Sequence, residues 1–151
     1  MEKVLFVCTA NICRSPTAEA IFNALAEDTG LSFRAESAGT AALAGKPMAP
    51  NAEAALIEAG IYPGNHHARQ VNEAMLRGAG LVLAMTPRHV AKLRSLYGEL
   101  ARETYTLPGY ATSIPNEEGI PDPYGHTMVA YRSSVRLLYE YIERVVNRLA
   151  T

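Results

Sequence analysis

Apolar positions along this chain switch repeatedly between short continuous runs and helical spacing. Val4-Leu5-Phe6-Val7 is an unbroken apolar run, as expected of a strand covered on both faces. After Pro16, Ala18, Ile21, Phe22 and Leu25 fall on one helical face, and Ser15 as N-cap with Gly30 as terminator would bound that helix. A short strand from Phe33 to Ser37 leads into a Gly- and Pro-punctuated loop from Ala38 to Pro50. Ala52, Ala55, Leu56 and Ala59 then predict a second helix ending at Gly60. Leu81 to Ala84 reads as a buried strand, Pro87 to about Tyr97 as a helix, and Glu103 to Leu107 as a fourth strand. In the last helix Val135, Leu138, Ile142, Val145 and Leu149 alternate threes and fours, while Arg132, Arg136, Glu140 and Arg148 take the other faces. That helix is expected to cover one face of the sheet.

Strands alternating with helices predict an α/β fold, a parallel sheet with helices on both faces, in which ligands bind beyond the carboxyl ends of the strands. The loop after the first strand lies at that edge. Gly109 to Gly125 is the one long stretch without periodicity, and long loops in compact domains often carry function. A 151-residue chain with 48% hydrophobic and 19% charged residues is expected to form one domain, residues 1–151.

Formal net charge is -1 and no long basic run occurs, which points away from nucleic acid and anionic membranes as partners. Met1-Glu2-Lys3 lead straight into the first strand, with no room for a signal peptide or membrane span. Both cysteines lie in one loop, too few and too close for a secreted disulfide framework. A cytoplasmic monomer without a permanent partner is expected.

That loop reads Cys8-Thr9-Ala10-Asn11-Ile12-Cys13-Arg14-Ser15 and sits between strand and helix. A turn feeding a helix N-terminus gathers backbone N–H groups and the positive end of the helix dipole into one concavity, where an oxyanion fits. The same field favours the thiolate of a cysteine placed at the start of the turn, ready as a nucleophile. Arg14 can clamp two phosphate oxygens bidentately. A cysteine and an Arg-Ser pair at this spacing arise by chance in roughly one random chain of this length in a hundred. The plainer reading, a small buried cysteine beside a surface arginine, is therefore set aside.

A departing oxygen as basic as a phenolate also needs a proton. Asp122 in Ile120-Pro121-Asp122-Pro123-Tyr124-Gly125 is the candidate donor, with two prolines stiffening the backbone around it. Asp-Pro alone more often merely starts a turn; paired with the cysteine loop it reads as an acid.

These residues bring the chain to a family resemblance. It resembles the low-molecular-weight protein tyrosine phosphatases, whose loop runs Cys, five residues, Arg-Ser and whose acid sits in a late Asp-Pro motif. Ser37-Ala38-Gly39-Thr40, His66-His67-Ala68-Arg69-Gln70 and Leu81-Val82-Leu83-Ala84-Met85 are similar to segments of that family in the same order. The resemblance implies a three-layer, flavodoxin-like sandwich with a four-stranded parallel sheet in the order 2-1-3-4. It implies Cys8 as nucleophile, Arg14 as phosphate clamp and Asp122 as acid, then base. It also implies Ser15 as hydrogen-bond partner of the thiolate, and Asn11, aided by Ser37 and His66, as support for a strained loop. No metal or organic cofactor is required, and phosphorylated proteins are the implied substrates.

Two branches of the family compete for the substrate. Leu83-Ala84-Met85-Thr86 and Asp122-Pro123-Tyr124-Gly125 are similar to the bacterial protein-arginine phosphatases, whereas Ile12 stands where that branch typically has threonine and the tyrosine branch isoleucine. A β-branched apolar rim packs on an aromatic ring and disfavours a guanidinium, so phosphotyrosine is favoured over phosphoarginine. Tyr124 and Leu43 are the expected pocket walls. Ala10, often glycine in relatives, and Gly125-His126 depart from the common pattern.

Thiol-dependent arsenate reduction is set aside because no later cysteine follows. A zinc site among His66, His67, His89 and His126 is set aside on spacing, and Tyr139 and Tyr141 are assigned to core and surface. Cys13 could close a reversible disulfide on Cys8 or simply fill the loop. A non-catalytic phosphate-binding module and a cysteine phosphocarrier are the remaining alternatives, and turnover of p-nitrophenyl phosphate separates them from a phosphatase.

Overall fold

A computed structural model describes residues 2–114 and 118–151. Four parallel strands, β1 (Lys3–Cys8), β2 (Arg34–Gly39), β3 (Leu81–Ala84) and β4 (Thr104–Thr106), form one sheet in the order β2-β1-β3-β4. β1 is central and buried from Val4 to Cys8, which accounts for its continuous apolar run. Its alternate residues feed two cores. Val4 and Phe6 join Leu81 and Leu83 beneath α1 (Arg14–Thr29), α2 (Pro50–Glu58) and α6 (Met128–Leu149). Leu5 and Val7 join Val82 beneath α3 (Glu73–Gly78) and α4 (Pro87–Tyr97).

α4 begins and ends where its sequence predicts, capped by Thr86 and opened by Pro87. α1 ends as predicted on Gly30, which adopts a left-handed φ of 71° and lets Leu31 N–H bond back to the Ala26 carbonyl. The start of α1 differs. The helix opens at Arg14 with Cys13 as N-cap and no side-chain cap, so Ser15 is not the cap but a buried residue of the first turn. Its hydroxyl is committed to the loop instead.

Two short helices escape the periodic pattern. α3 is too brief to show a repeat, although Asn72, accepting the Met75 N–H at 2.9 Å, is a recognisable cap. α5 (Leu107–Thr112) replaces the expected end of β4 and the beginning of the aperiodic segment, because Thr106 caps it through the Gly109 N–H and Pro108 enters its first turn. The rest of that segment includes Pro115, Asn116 and Glu117, which lie outside the described residues. α6 is longer than its apolar repeat and packs on α1, α2 and α5, with Tyr139 and Tyr141 half-buried against the core. Among the described residues no helix is long and apolar enough to cross a membrane.

β1 and β3 leave the sheet centre towards opposite sides, so the crevice beyond their carboxyl ends is the switch point where α/β sheets hold ligands. The loop after β1 opens there. The segment that faces it is anchored just beyond the end of β3, where the Ile120 N–H bonds the Met85 carbonyl at 2.7 Å.

Gly39, the partner of Cys8 in the β1–β2 ladder, admits this close approach because a Cβ there would collide with the Thr9 carbonyl. Gly39→Ala is expected to cost about 1–3 kcal/mol of stability, read as a fall in the urea midpoint; an unchanged midpoint would show that the loop can step aside freely.

Candidate active site

The loop from Thr9 to Cys13 turns back on itself through Asn11, whose φ of 61° is left-handed. Among the described residues only Asn11 and Ser113 adopt this conformation without being glycine. Asparagine tolerates it better than other side chains do. Ala10 is outside that region, so its Cβ brings no strain of this kind.

Asn11 is fully buried, and its side-chain amide and backbone carbonyl are both held. Its Nδ2 donates to Ser15 Oγ at 2.8 Å and to Ser37 Oγ at 3.0 Å; its Oδ1 accepts the Arg69 N–H at 2.9 Å; its backbone carbonyl accepts from His66 Nε2 at 2.7 Å. The Ser37 hydroxyl in turn donates a hydrogen bond to Glu19 Oε1 at 2.7 Å. Ser15 Oγ, already accepting from Asn11, has its proton free for Cys8 Sγ, 2.9 Å away. Hydrogen-bond donation therefore spreads from Asn11 in two directions, through Ser37 of β2 to Glu19 of α1 and through Ser15 to the sulfur. Glu19 and the Arg69 backbone are members that sequence reasoning missed; Glu19 sits one turn beyond Ser15 on the same helix, but nothing in its neighbours marks it.

Arg14 is also buried, and its Nη1 donates to the Ile120 carbonyl at 3.0 Å while Nη2 lies 3.7 Å from Asp122 Oδ2. Asp122 remains half-exposed, and its Oδ1 accepts the Tyr124 N–H at 3.1 Å, a local turn that steadies the carboxyl. Residues over a hundred positions apart thus meet around one cavity of about 170 Å³, lined by Cys8, Thr9, Ala10, Asn11, Ile12, Cys13, Arg14, Asp122 and Tyr124. Ile12 and Tyr124 are in its wall. Leu43 is not: its side chain is exposed, and only its backbone N–H reaches the loop, at the Ala10 carbonyl.

Both cysteines are free thiols. Burial pushes Cys13 up to about 11, against the weaker opposing effect of a 3.9 Å contact with the Tyr131 hydroxyl, so it stays protonated at neutral pH. His89, considered in sequence only as a metal ligand, lies instead against the loop: its Nε2 is 2.8 Å from Thr9 Oγ1 and its Nδ1 2.9 Å from Thr86 Oγ1. Burial, followed by the Arg14 charge, pushes its pKa down to about 4, with Asp122 partly opposing and Arg88 adding a little. No local motif announces it; the contact exists only because α4 follows β3 beside β1.

Asn11→Ala is expected to lose about 2–4 kcal/mol of stability, from the broken hydrogen bonds and the strained φ together. Asn11→Gly, which keeps the conformation, should recover about 1 kcal/mol of that in urea denaturation; equal losses would show that the side chain does not serve the backbone twist.

A family model described as low molecular weight phosphotyrosine protein phosphatase matches residues 3–151. The chain is 35% identical over 146 residues to the protein-arginine-phosphatase of Bacillus subtilis (strain 168), covering 97% of this chain and 95% of that protein. It is 39% identical over 128 residues to a low molecular weight protein-tyrosine-phosphatase of Streptomyces coelicolor, covering 81% of this chain and 77% of the other. Among solved structures, a mutant of the YwlE arginine phosphatase whose active-site serine is phosphorylated matches with a TM-score of 0.94 at 34% identity, covering 99% of this chain and 96% of that one.

Proposed function

Because the chain belongs to the low molecular weight phosphotyrosine protein phosphatase family, we propose that it hydrolyses phosphotyrosine in protein substrates through a phosphocysteine at Cys8. The observation that carries this reading is the meeting of Cys8, Arg14 and Asp122 around one small cavity at the sheet's switch point. Covalent transfer to a side chain is supported by the structurally similar YwlE mutant, in which an active-site serine bears the phosphoryl group.

In the first step the Cys8 thiolate attacks phosphorus in line with the leaving oxygen, and the S–P bond forms as the P–O bond breaks. Asp122 delivers its proton to that oxygen. In the second step Asp122, now a carboxylate, takes a proton from water, whose oxygen attacks phosphorus. The S–P electrons return to sulfur, and inorganic phosphate leaves. The nonbridging oxygens are met by the amides of the loop and the N-terminus of α1. Ile120 holds Nη1 of Arg14, so a bidentate grip on phosphate falls to the Nε–Nη2 edge, with phosphate taking over from the Asp122 carboxylate that lies 3.7 Å from Nη2. Ser15 stabilises the thiolate both as attacking and as leaving group.

The named relatives divide between tyrosine and arginine substrates, so the choice rests on the cavity wall. Ile12 and Tyr124 supply apolar and aromatic surface there, which suits a phenyl ring and leaves the donors of a guanidinium unsatisfied.

Cys8→Ser is expected to lower turnover of p-nitrophenyl phosphate at least about a thousandfold; a variant that keeps its rate would overturn the nucleophile and with it the reading. Asp122→Ala should slow phosphotyrosine hydrolysis by about 10²–10³ and p-nitrophenyl phosphate much less, because p-nitrophenolate departs with little need of a proton. Equal losses on both substrates would remove Asp122 as the acid. For the substrate, Ile12→Thr should shift kcat/KM by several-fold to about tenfold from phosphotyrosine towards phosphoarginine; an unmoved ratio, or a wild-type preference for phosphoarginine, would defeat the argument from Ile12.

A further inference from the structure

Beside the hydrogen bonds that end on Cys8 runs a second chain, Thr86–His89–Thr9, whose direction is set by the imidazole tautomer. A neutral imidazole has one N–H and one bare nitrogen, and His89 is neutral near pH 7. Thr86 Oγ1 accepts the backbone N–H of His89 at 3.3 Å, as the cap of α4, sharing it with the Thr86 carbonyl at 3.1 Å. If Nδ1 carried the ring proton, Thr86 Oγ1 would accept twice while its own proton had no place in the chain. With the proton on Nε2, Thr86 accepts from the backbone and donates to Nδ1, and both capacities are used. Nε2–H then donates into Thr9 Oγ1, so the Thr9 proton must go to a third group. Thr9 lines the same cavity as Cys8 and Arg14.

We propose that His89 is a positioning residue for the phosphatase reaction: donating from Nε2, it fixes the Thr9 hydroxyl as a hydrogen-bond donor to an oxygen of the phosphoryl group held over Cys8. The inference rests on the phosphatase reading only for what occupies the cavity, since the tautomer concerns the protein's own groups alone. Thr86 is a firm anchor for this chain. The segment leading to Asp122 passes so close that a Cβ on Gly119 would stand 2.8 Å from Thr86 Cα and 2.6 Å from the Met85 carbonyl. His89 thereby ties the phosphate loop to the turn on which the acid segment rests.

The test has two arms. In nitrogen-15 NMR of the wild-type protein at neutral pH, the His89 ring should appear with Nε2 protonated and Nδ1 bare; the opposite tautomer overturns the proposal. In the second arm, binding of inorganic phosphate is measured by calorimetry for Thr9→Val, His89→Leu and the double variant. Each single change should weaken phosphate binding about tenfold, the loss of one hydrogen bond to an anion, and the double variant should be no weaker than the worse single one. Multiplying losses, or no loss in either, would sink it. His89→Gln, whose amide can still donate to Thr9, should recover most of the affinity; a merely structural role would show instead as lower urea stability with phosphate affinity unchanged. Should His89→Leu not fold, Thr9→Val and the wild-type tautomer still decide the matter. Failure of the wild-type protein to turn over p-nitrophenyl phosphate would remove the phosphatase reading but leave both arms readable.

Discussion

The left-handed turn at Asn11 is the constraint around which the site is organised. A strand must hand over to a helix within five residues, and the loop must leave Cys8 and Arg14 facing one concavity. One residue with positive φ makes the reversal that short, and asparagine supplies both the tolerance for that backbone and the side chain to brace it. Its bonds reach α1 at Ser15, β2 at Ser37 and the segment before α3 at His66 and Arg69. Burial removes water as an alternative partner, so each bond is costly to leave unmade and the loop has one low-energy shape. A phosphate site of this kind depends on donors already in place before the anion arrives, which a loosely held loop could not provide.

The segment that carries Asp122 is joined to that loop through Arg14 and to the sheet through Ile120, whose side chain enters the core. Arg14 bonds the Ile120 carbonyl, Ile120 bonds the end of β3, and Gly119 lies against Thr86. Arg14 thus has a structural partner on Nη1 and faces the Asp122 carboxylate with Nη2. Asp122 is left half-exposed between two prolines, which limit how far its backbone can wander.

Similarity alone does not choose the substrate, because the named relatives fall on both sides. What differs at the cavity is a few side chains on a shared frame, where one methyl or hydroxyl is worth only a modest factor in rate. Ile12 pulls the wall towards an aromatic ring. The polar arm from His89 to Thr9 acts on the phosphoryl end, which both substrates share, and so adds binding without adding discrimination.

Local residue order was sufficient for the strands β1 and β3, the helix α4 and the α/β class, and it picked out Cys8, Arg14 and Asp122, which the fold brings to one cavity, because each is announced by a periodicity, a cap or a spacing that neighbours in sequence supply. It misjudged Ser15 as a helix cap, since a serine before Pro-Thr-Ala-Glu has the look of one; only the folded loop shows its hydroxyl drawn to Asn11 and Cys8 instead. It placed Leu43 in the pocket, whereas that side chain is exposed once the loop after β2 is in position. Glu19, Arg69 and His89 were invisible for one physical reason: their partners lie 18, 58 and 80 residues away. Short-range pattern decides which elements form and which residue types can do the chemistry. Only the packing of β2, β3 and α4 around β1 brings distant donors and acceptors within hydrogen-bonding distance, and that proximity decides how the loop is held.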